Sequence, residues 1–217
     1  MSQPAPSTIP LLPLEKKIRN HATLCAVGFL ILLPIGALVG RYLRTFTSRW
    51  FWGHWVIQFL VAGPVILTGW AFGYRLTADN FTGHWNDPHK KTGLALLILY
   101  IIQVLLGAII HFFKTPYFFS GRRPPQNYLH ATIGLAIIAL AFYQVHYGIT
   151  FEWYELTGGL HVVPHSVMSA WIAVAVVFWT LYVIGLALLP RQYKIEAVNR
   201  SQNGDEKLGS VSTASNA

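Results

Sequence analysis

Five long apolar segments, separated by short polar stretches, set the hydropathy pattern of this chain. Each is close to the roughly 20 residues that a helix needs to cross a hydrocarbon core about 30 Å thick. A helix satisfies its own backbone hydrogen bonds, as a membrane interior requires. The pattern therefore predicts an all-α membrane protein with a five-helix transmembrane bundle, whose spans cover about residues 22–43, 54–74, 92–113, 129–149 and 166–189.

The pattern also divides the chain into three parts. Residues 1–20 contain four prolines and are expected to form a flexible N-terminal segment. Residues 21–190 hold the predicted bundle, and residues 191–217 turn polar, as is typical of a disordered C-terminal tail. Because the first apolar segment has no small-residue cleavage site, we expect it to be retained as a span.

Composition indicates a lipid environment. Apolar side chains make up 53% of the chain and charged ones only 11%, too few to cover a water-soluble domain of 217 residues. The net charge is +8, but the basic residues lie at span ends and in connections, where membrane proteins commonly carry them. Nucleic acid is therefore not an expected partner. Cys25 is the only cysteine, which excludes an intrachain disulfide.

The distribution of basic residues predicts an orientation. Short connections make consecutive spans antiparallel, so the first, third and fifth spans begin on one side and the others on the opposite side. The side holding the C-terminus carries ten Lys and Arg residues against six on the other. Because these residues are enriched in cytoplasmic loops, we expect a multi-pass protein with the N-terminus outside or lumenal and the C-terminus cytoplasmic. We call these two sides outer and inner.

A histidine opens each of the first four spans. His21 and His89 lie at the outer ends of the first and third spans, whereas His54 and His130 lie at the inner ends of the second and fourth. Ionisable groups are costly inside a membrane and commonly have a function there. The topology therefore predicts two histidine pairs at opposite faces of one bundle.

Imidazole chemistry suggests what these pairs do. Histidine binds iron, copper and zinc, and two imidazoles from facing helices can take both axial positions of a haem. A hydrolytic zinc site or a carboxylate di-iron site would lack its usual ligands, because the spans contain no Asp or Glu and the chain has one cysteine. A porphyrin supplies four nitrogens of its own and needs only the two histidines.

Other polar residues leave alternatives open. His111 follows His89 by 22 residues on nearly the same helix face, and it could ligate a metal, line the inner pocket or cap the helix. His146, His161 and His165 are candidates for an outer substrate site or a proton path, although His161, like His84, also reads as a solvated loop residue. Three glutamines within the spans are expected to form hydrogen bonds between helices, namely Gln58, Gln103 and Gln144.

Four runs of sequence carry a specific motif. The first has His…LLPIGA…R, the second His…Q, the third His–x3–Gly…Q–x3–G…His and the fourth His–x3–Gly. The runs are HATLCAVGFLILLPIGALVGRYLR, HWVIQFLVAGPVILTGWAFGY, HKKTGLALLILYIIQVLLGAIIH and LHATIGLAIIALAFYQVHYGI. They resemble the histidine-bearing helices of the cytochrome b561 family, particularly fungal members and those fused to an extracellular DOMON domain. The resemblance covers about residues 18–190.

This resemblance implies a transmembrane oxidoreductase that transfers electrons through two haem b groups. It implies that His21 and His89 bind the outer haem and that His54 and His130 bind the inner one. Family members typically take electrons from cytosolic ascorbate and pass them to monodehydroascorbate or ferric iron on the other side. An ascorbate-dependent or ferric-reductase activity is therefore expected here.

Substrate contacts and partners follow from the same resemblance. The candidate substrate residues are Arg49, Arg122, Arg123 and His165, and Arg44 and Lys114 are further cations on the inner side. The usual first family helix and a DOMON domain do not precede the core, so a separate extracellular redox protein is an expected partner, and a homodimer is an expected assembly.

Two other classes of protein compete with this interpretation. One is a haem-free proton or metal-ion transporter that uses the intramembrane histidines. It would need polar groups along a continuous path, whereas the spans are almost purely apolar between their ends. The other is an anchoring membrane subunit, which would tolerate loss of the histidines.

Overall fold

The computed structural model describes residues 9–79, 83–113 and 124–198, and within them it contains helices and no strand. Five helices are long and apolar enough to cross a membrane, which confirms the predicted fold class. A sixth, short helix, α6, covers residues 189–198. The five long helices are α1 (Pro13–Thr45), α2 (Trp50–Ala78), α3 (Pro88–Phe112), α4 (Pro125–Leu156) and α5 (His165–Leu186).

Helix α1 begins inside the segment that was expected to be flexible. Pro13 occupies the first turn, where its missing N–H is no loss. The Glu15 carboxylate accepts a hydrogen bond from Leu12 N–H at 2.7 Å and is only 3% exposed. At the other end, residues 191–198 are helical, whereas the sequence predicts that they belong to a disordered tail. Contacts with distant residues order both segments, so the boundaries at residues 20 and 191 do not mark the ends of helical structure.

The bundle core lies at mid-membrane, where all five long helices contribute. Helix α1 packs against α2, and α3 packs against α4. Apolar side chains on the opposite face of α3, including Ile98, Ile101 and Leu105, are exposed. Such an outward apolar face suits contact with lipid. The core includes Leu33, Ile66, Tyr100, Ile137 and Phe178.

Two of the spans contain a π-helical turn, near the centre of α1 and in the first half of α2. In α1 this turn covers Val27–Leu32, and in α2 it covers Val56–Val61. A third π turn, Gly148–Glu152, lets α4 continue to Leu156, beyond the predicted end near residue 149. A π turn closes its hydrogen bonds five residues apart instead of four, so it accommodates one extra residue in a helix of fixed length.

Candidate functional site

The four span-opening histidines meet as two pairs at opposite ends of the bundle. The ring centroids of His21 and His89 lie 6.3 Å apart with the ring planes inclined by 72°. Those of His54 and His130 lie 6.2 Å apart and are inclined by 69°. We call these the outer pair and the inner pair. Antiparallel packing of α1 to α4 brings together residues that are separated by 68 and 76 positions in the sequence.

Backbone carbonyls fix the orientation of one ring in each pair. His21 Nδ1 lies 2.7 Å from the carbonyl oxygen of Gly69, and His54 Nδ1 lies 2.8 Å from that of Gly36. A carbonyl only accepts hydrogen bonds, so Nδ1 carries the proton in both rings. This leaves Nε2 as the nitrogen with a lone pair for a metal, an arrangement typical of metal-ligating histidine.

Glycines on the neighbouring helix make room for the histidines of α1 and α2. A Cβ atom added to Gly73 of α2 would lie 2.6 Å from His21 Cε1. One added to Gly40 of α1 would lie 3.1 Å from His54 Nδ1. Each helix of this pair therefore holds the other's histidine against a position where a side chain would collide with it.

Helices α3 and α4 repeat this reciprocal arrangement. A Cβ atom on Gly148 of α4 would lie 3.3 Å from His89 Cε1, and one on Gly107 of α3 would lie 3.0 Å from His130 Cε1. Two glutamines add hydrogen bonds between the same helices. Gln144 Nε2 donates to the carbonyl of His89 at 2.7 Å, and Gln103 Nε2 donates to that of His130 at 2.6 Å.

These residues recur at fixed spacings along the chain. In α1 and α2 a histidine is followed by glycines 15 and 19 positions later. In α3 and α4 a histidine is followed by glycine, glutamine and glycine 4, 14 and 18 positions later. Helices α1 and α2 run antiparallel, as do α3 and α4. Each of these two helix pairs is therefore an inverted repeat, with the same contacts at its outer and inner ends. The repeated residues are His21, Gly36, Gly40; His54, Gly69, Gly73; His89, Gly93, Gln103, Gly107; and His130, Gly134, Gln144, Gly148.

The π turns explain why the two repeats differ by one residue. The interval from histidine to the last glycine is 19 residues in α1 and α2, and 18 residues in α3 and α4. Each longer interval contains one π turn, at Val27–Leu32 or Val56–Val61. The extra residue is absorbed there, so all four helices bring a glycine to the level of a neighbour's histidine. Single glycines are common in membrane helices, and only this spacing distinguishes Gly40, Gly73 and Gly148 by sequence.

A cavity of about 780 Å³ adjoins the inner pair. Its size is within the range of about 300–1,000 Å³ that is usual for small-molecule and cofactor sites. Its lining combines the two imidazoles with apolar groups and two guanidinium groups. Lining residues include His54, His130, Arg41, Arg44, Gln58 and Tyr100.

The outer pair is surrounded by an aromatic ring and by charged residues at the helix ends. Tyr147 stacks beside His89, with ring centroids 6.2 Å apart and planes inclined by 23°. Asp87 caps α3 by accepting from Lys90 N at 2.8 Å and pairs with Lys90 Nζ at 3.0 Å. Partial burial raises the pKa of Asp87, but the hydrogen bonds and positive charge of Lys90 outweigh it, so this pKa lies below its usual range. Near the same face, Glu15 pairs with His161 Nε2 at 3.4 Å.

The other histidines lie outside the two pairs. His111 stacks on Phe51, with centroids 3.3 Å apart, and contributes to the cavity lining while remaining exposed. His146 packs beside Trp171 at 4.9 Å. His165 is exposed in the first turn of α5.

Among the candidate substrate residues on the inner side, Arg49 is exposed just before α2. Arg122 and Arg123 lie outside the described residues, as does Lys114.

Within the described ranges no group of three or more His, Cys, Asp or Glu residues forms a metal site. A group that brings its own equatorial donors needs only a histidine pair, so this finding is compatible with haem.

Comparison with known proteins agrees with the geometry of the site. Two Arabidopsis thaliana proteins, both named cytochrome b561 and DOMON domain-containing protein, are similar to this chain. One is 29% identical over 146 residues, covering 66% of this chain and 37% of the relative. The other is 33% identical over 139 residues, covering 61% and 31%.

This chain thus spans about a third of the length of these relatives. No solved structure matches it. The family model described as eukaryotic cytochrome b561 matches residues 20–155, a range that contains all four paired histidines. The match extends over more than half of the chain, and it bears out the resemblance seen in the histidine motifs: the chain belongs to the cytochrome b561 family.

Proposed function

We propose that this protein is a transmembrane oxidoreductase that transfers electrons through two haem b groups. In this proposal His21 and His89 hold the outer haem, and His54 and His130 hold the inner one. Membership in a family whose members bind haem b supports the cofactor. When bound, the haem would supply the one-electron redox chemistry of its iron.

The separation of the rings is the observation that carries the proposal. Metal–imidazole bonds are about 2 Å long, so two imidazoles bound through Nε2 on opposite faces of one iron have centroids about 6 Å apart. The two pairs, at 6.3 and 6.2 Å, match this separation. Direct contact between imidazoles would bring the rings closer, and unrelated histidines have no reason to share one distance.

The protein's own groups prepare the pairs for this role. The Gly69 and Gly36 carbonyls hold His21 and His54 in the tautomer with Nε2 available, and they increase its basicity. The apolar core between the two ends, including Phe29 and Ile137, excludes water from the region that separates the sites. Burial and hydrogen bonding of this kind set the potential of a bound haem.

The direction of transfer is proposed from charge. Arg41 and Arg44 line the inner cavity, and guanidinium groups attract anions. Arg49, Arg122 and Arg123 add positive charge on this side. We therefore propose a cytoplasmic, anionic donor such as ascorbate and an outer acceptor such as monodehydroascorbate or ferric iron. The DOMON domains named in the relatives support a separate outer redox protein as a partner, and a homodimer remains a proposed assembly.

An absorption experiment tests the cofactor directly. The purified protein, oxidised and then reduced with dithionite, should show low-spin b-type bands, and extraction should give two haems per chain. Ascorbate should reduce a substantial part of the same bands. A protein that carries no haem after expression with ample haem would contradict the proposal and favour the haem-free transporter or the anchoring subunit.

A further inference from the structure

The short helix α6 contributes to the lining of the inner cavity. It follows α5 after a two-residue turn at 187–188. Gln192 has a polar side chain, yet it lines the cavity and is only 2% exposed. Glu196, one helical turn later, lies on the same face as Gln192, and the two side chains are joined by a hydrogen bond of 2.8 Å.

This face of α6 engages both arginines of the cavity lining. Arg41 Nη2 donates a hydrogen bond to Gln192 Oε1. Arg44 Nε lies 2.8 Å from Glu196 Oε1, in an ion pair whose side chains are 24% and 15% exposed. At the edge of the same helix, the Arg191 guanidinium lies over the Phe46 ring at 5.1 Å. Helix α6 is therefore attached to the end of α1 by three separate contacts.

The acceptors that α6 offers resemble those of a small anion. The Glu196 carboxylate contacts Arg44, and the Gln192 amide oxygen accepts from Arg41. These two oxygens occupy N–H groups with which a guanidinium group binds carboxylates and similar anions. While Glu196 is in place, it also balances one positive charge beside the inner pair. The positive charge that would attract an anionic electron donor is thus reduced by the protein's own chain.

We propose that α6 is an autoinhibitory strap. Gln192 and Glu196 compete with an anionic donor for Arg41 and Arg44, and displacement of α6 opens the inner cavity to that donor. The turn at 187–188 provides the pivot. This inference rests on the proposed function for the identity of the donor, but the competition for the arginines requires only an anion.

The test compares Glu196→Gln with a matched control on the same helix. Glu196→Gln keeps the shape of the side chain and removes its charge. Lys194→Gln changes one charge on the exposed face of α6 and leaves the arginine contacts intact. Both full-length variants and the wild type are placed in vesicles with the inner face outward. Haem reduction is then followed with three added donors: ascorbate, dithionite and a neutral hydroquinone.

The strap predicts faster reduction of Glu196→Gln by both anions, about threefold to tenfold, in line with the effect of local charge on association rates. The neutral hydroquinone should gain less, and Lys194→Gln should match the wild type. Equal rates for wild type and Glu196→Gln with both anions would overturn the proposal. The proposal would also be overturned if Glu196→Gln were reduced faster by the same factor with charged and neutral donors, because the arginines would then not contribute to the acceleration.

Hydrogen exchange of residues 189–198 provides a readout that does not depend on electron transfer. Added ascorbate should raise exchange in α6 of the wild type, and Glu196→Gln should show raised exchange without it. Unchanged exchange in both cases would overturn the strap. If dithionite reduces the wild type and ascorbate does not, the proposed donor is wrong. The dithionite rates and the hydrogen-exchange data then still test whether α6 is autoinhibitory.

Discussion

The outer and inner histidine pairs follow one plan but differ in the residues around them and in how evenly the neighbouring glycines approach the two rings. Their ring separations are nearly equal, at 6.3 and 6.2 Å. At the inner pair, the Cβ positions of the two glycines lie 3.1 and 3.0 Å from the rings, whereas at the outer pair they lie 2.6 and 3.3 Å away. The inner pair adjoins a cavity, and the outer pair has Tyr147 stacked beside one ring.

This difference separates two roles of the protein around each proposed haem site. The distance between the two histidines of a pair is set by the helix backbones, which the repeated spacing keeps alike at both ends. Access and polarity are set by the side chains around each pair, and these differ. Because burial and hydrogen bonding tune haem potentials, we expect two sites with the same ligands and distinct potentials.

The largest effect is expected from removing one ligand at each end. His89→Ala should lose the outer haem and His130→Ala the inner one, so that each variant retains one haem per chain. Extraction of haem, together with redox titration of the remaining bands, checks this. Loss of both haems in either variant, or retention of both in each, would show that the pairs are assigned wrongly.

A smaller effect should reveal the uneven packing of the outer pair. In Gly73→Ala the new methyl group would lie 2.6 Å from His21, which must shift, whereas in Gly148→Ala the distance to His89 is 3.3 Å. Overpacking of this kind costs about 1–3 kcal/mol, so Gly73→Ala should lower stability and outer haem content more. Thermal unfolding and haem content measure the two variants.

Gly53→Ala is the control for these glycine variants, because its nearest neighbour lies at an ordinary contact distance of 3.4 Å. It should behave as the wild type. If Gly73→Ala and Gly148→Ala lowered stability equally, the difference between the two Cβ–histidine distances at the outer pair would have no effect on the free energy of unfolding.

The interhelical glutamines should produce a smaller change again. Gln144→Leu removes a hydrogen bond to the His89 carbonyl and should lower the free energy of unfolding by about 1 kcal/mol. Gln103→Leu should cost less, because Gln103 Oε1 is buried without a hydrogen-bond partner among the described residues, and leucine removes that unpaired atom. Denaturant-induced unfolding in detergent compares them, and the reverse order would refute this account.

The smallest change is expected from removing only the charge of Asp87 at the start of α3. Asp87→Asn keeps a side-chain oxygen for the helix cap and loses the partly exposed ion pair with Lys90, so stability should fall by only about 0.2–0.5 kcal/mol. Asp87→Ala also loses the cap and should cost about 1 kcal/mol. The inner equivalent, α4, begins after Pro124 without a side-chain cap. Thermal unfolding distinguishes these variants, and equal losses would exclude a capping role.

Much of the fold can be predicted from the sequence, because hydropathy and the short connections determine the number of spans and their order. Five spans and their antiparallel order follow from apolar length, and this order already assigns the four histidines to two ends. The ends of the helices are harder to predict. Helix α1 begins early because Glu15 binds the backbone of Leu12 and pairs with the distant His161.

Other features depend on contacts that no local pattern contains. Helix α6 is ordered by contacts between residues about 150 positions apart, such as Arg41 and Gln192, and its ten-residue sequence contains no pattern that predicts these contacts. The glycines that receive the histidines can be found only once the register between neighbouring helices is known. That register includes the π turns, which the composition of α1 and α2 does not reveal.

The histidine-to-glycine intervals, 18 residues in α3 and α4 and 19 residues with a π turn in α1 and α2, set one distance along all four helices. Eighteen residues at about 1.5 Å of rise per residue measure about 27 Å between the levels of the two sites. The π turns of α1 and α2 correct a surplus residue so that all four helices agree in this distance. An inserted residue in α3 or α4 should therefore be tolerated only as a new π turn. The histidine-to-glycine intervals thus fix the distance between the two ends of the bundle at which the histidine pairs lie.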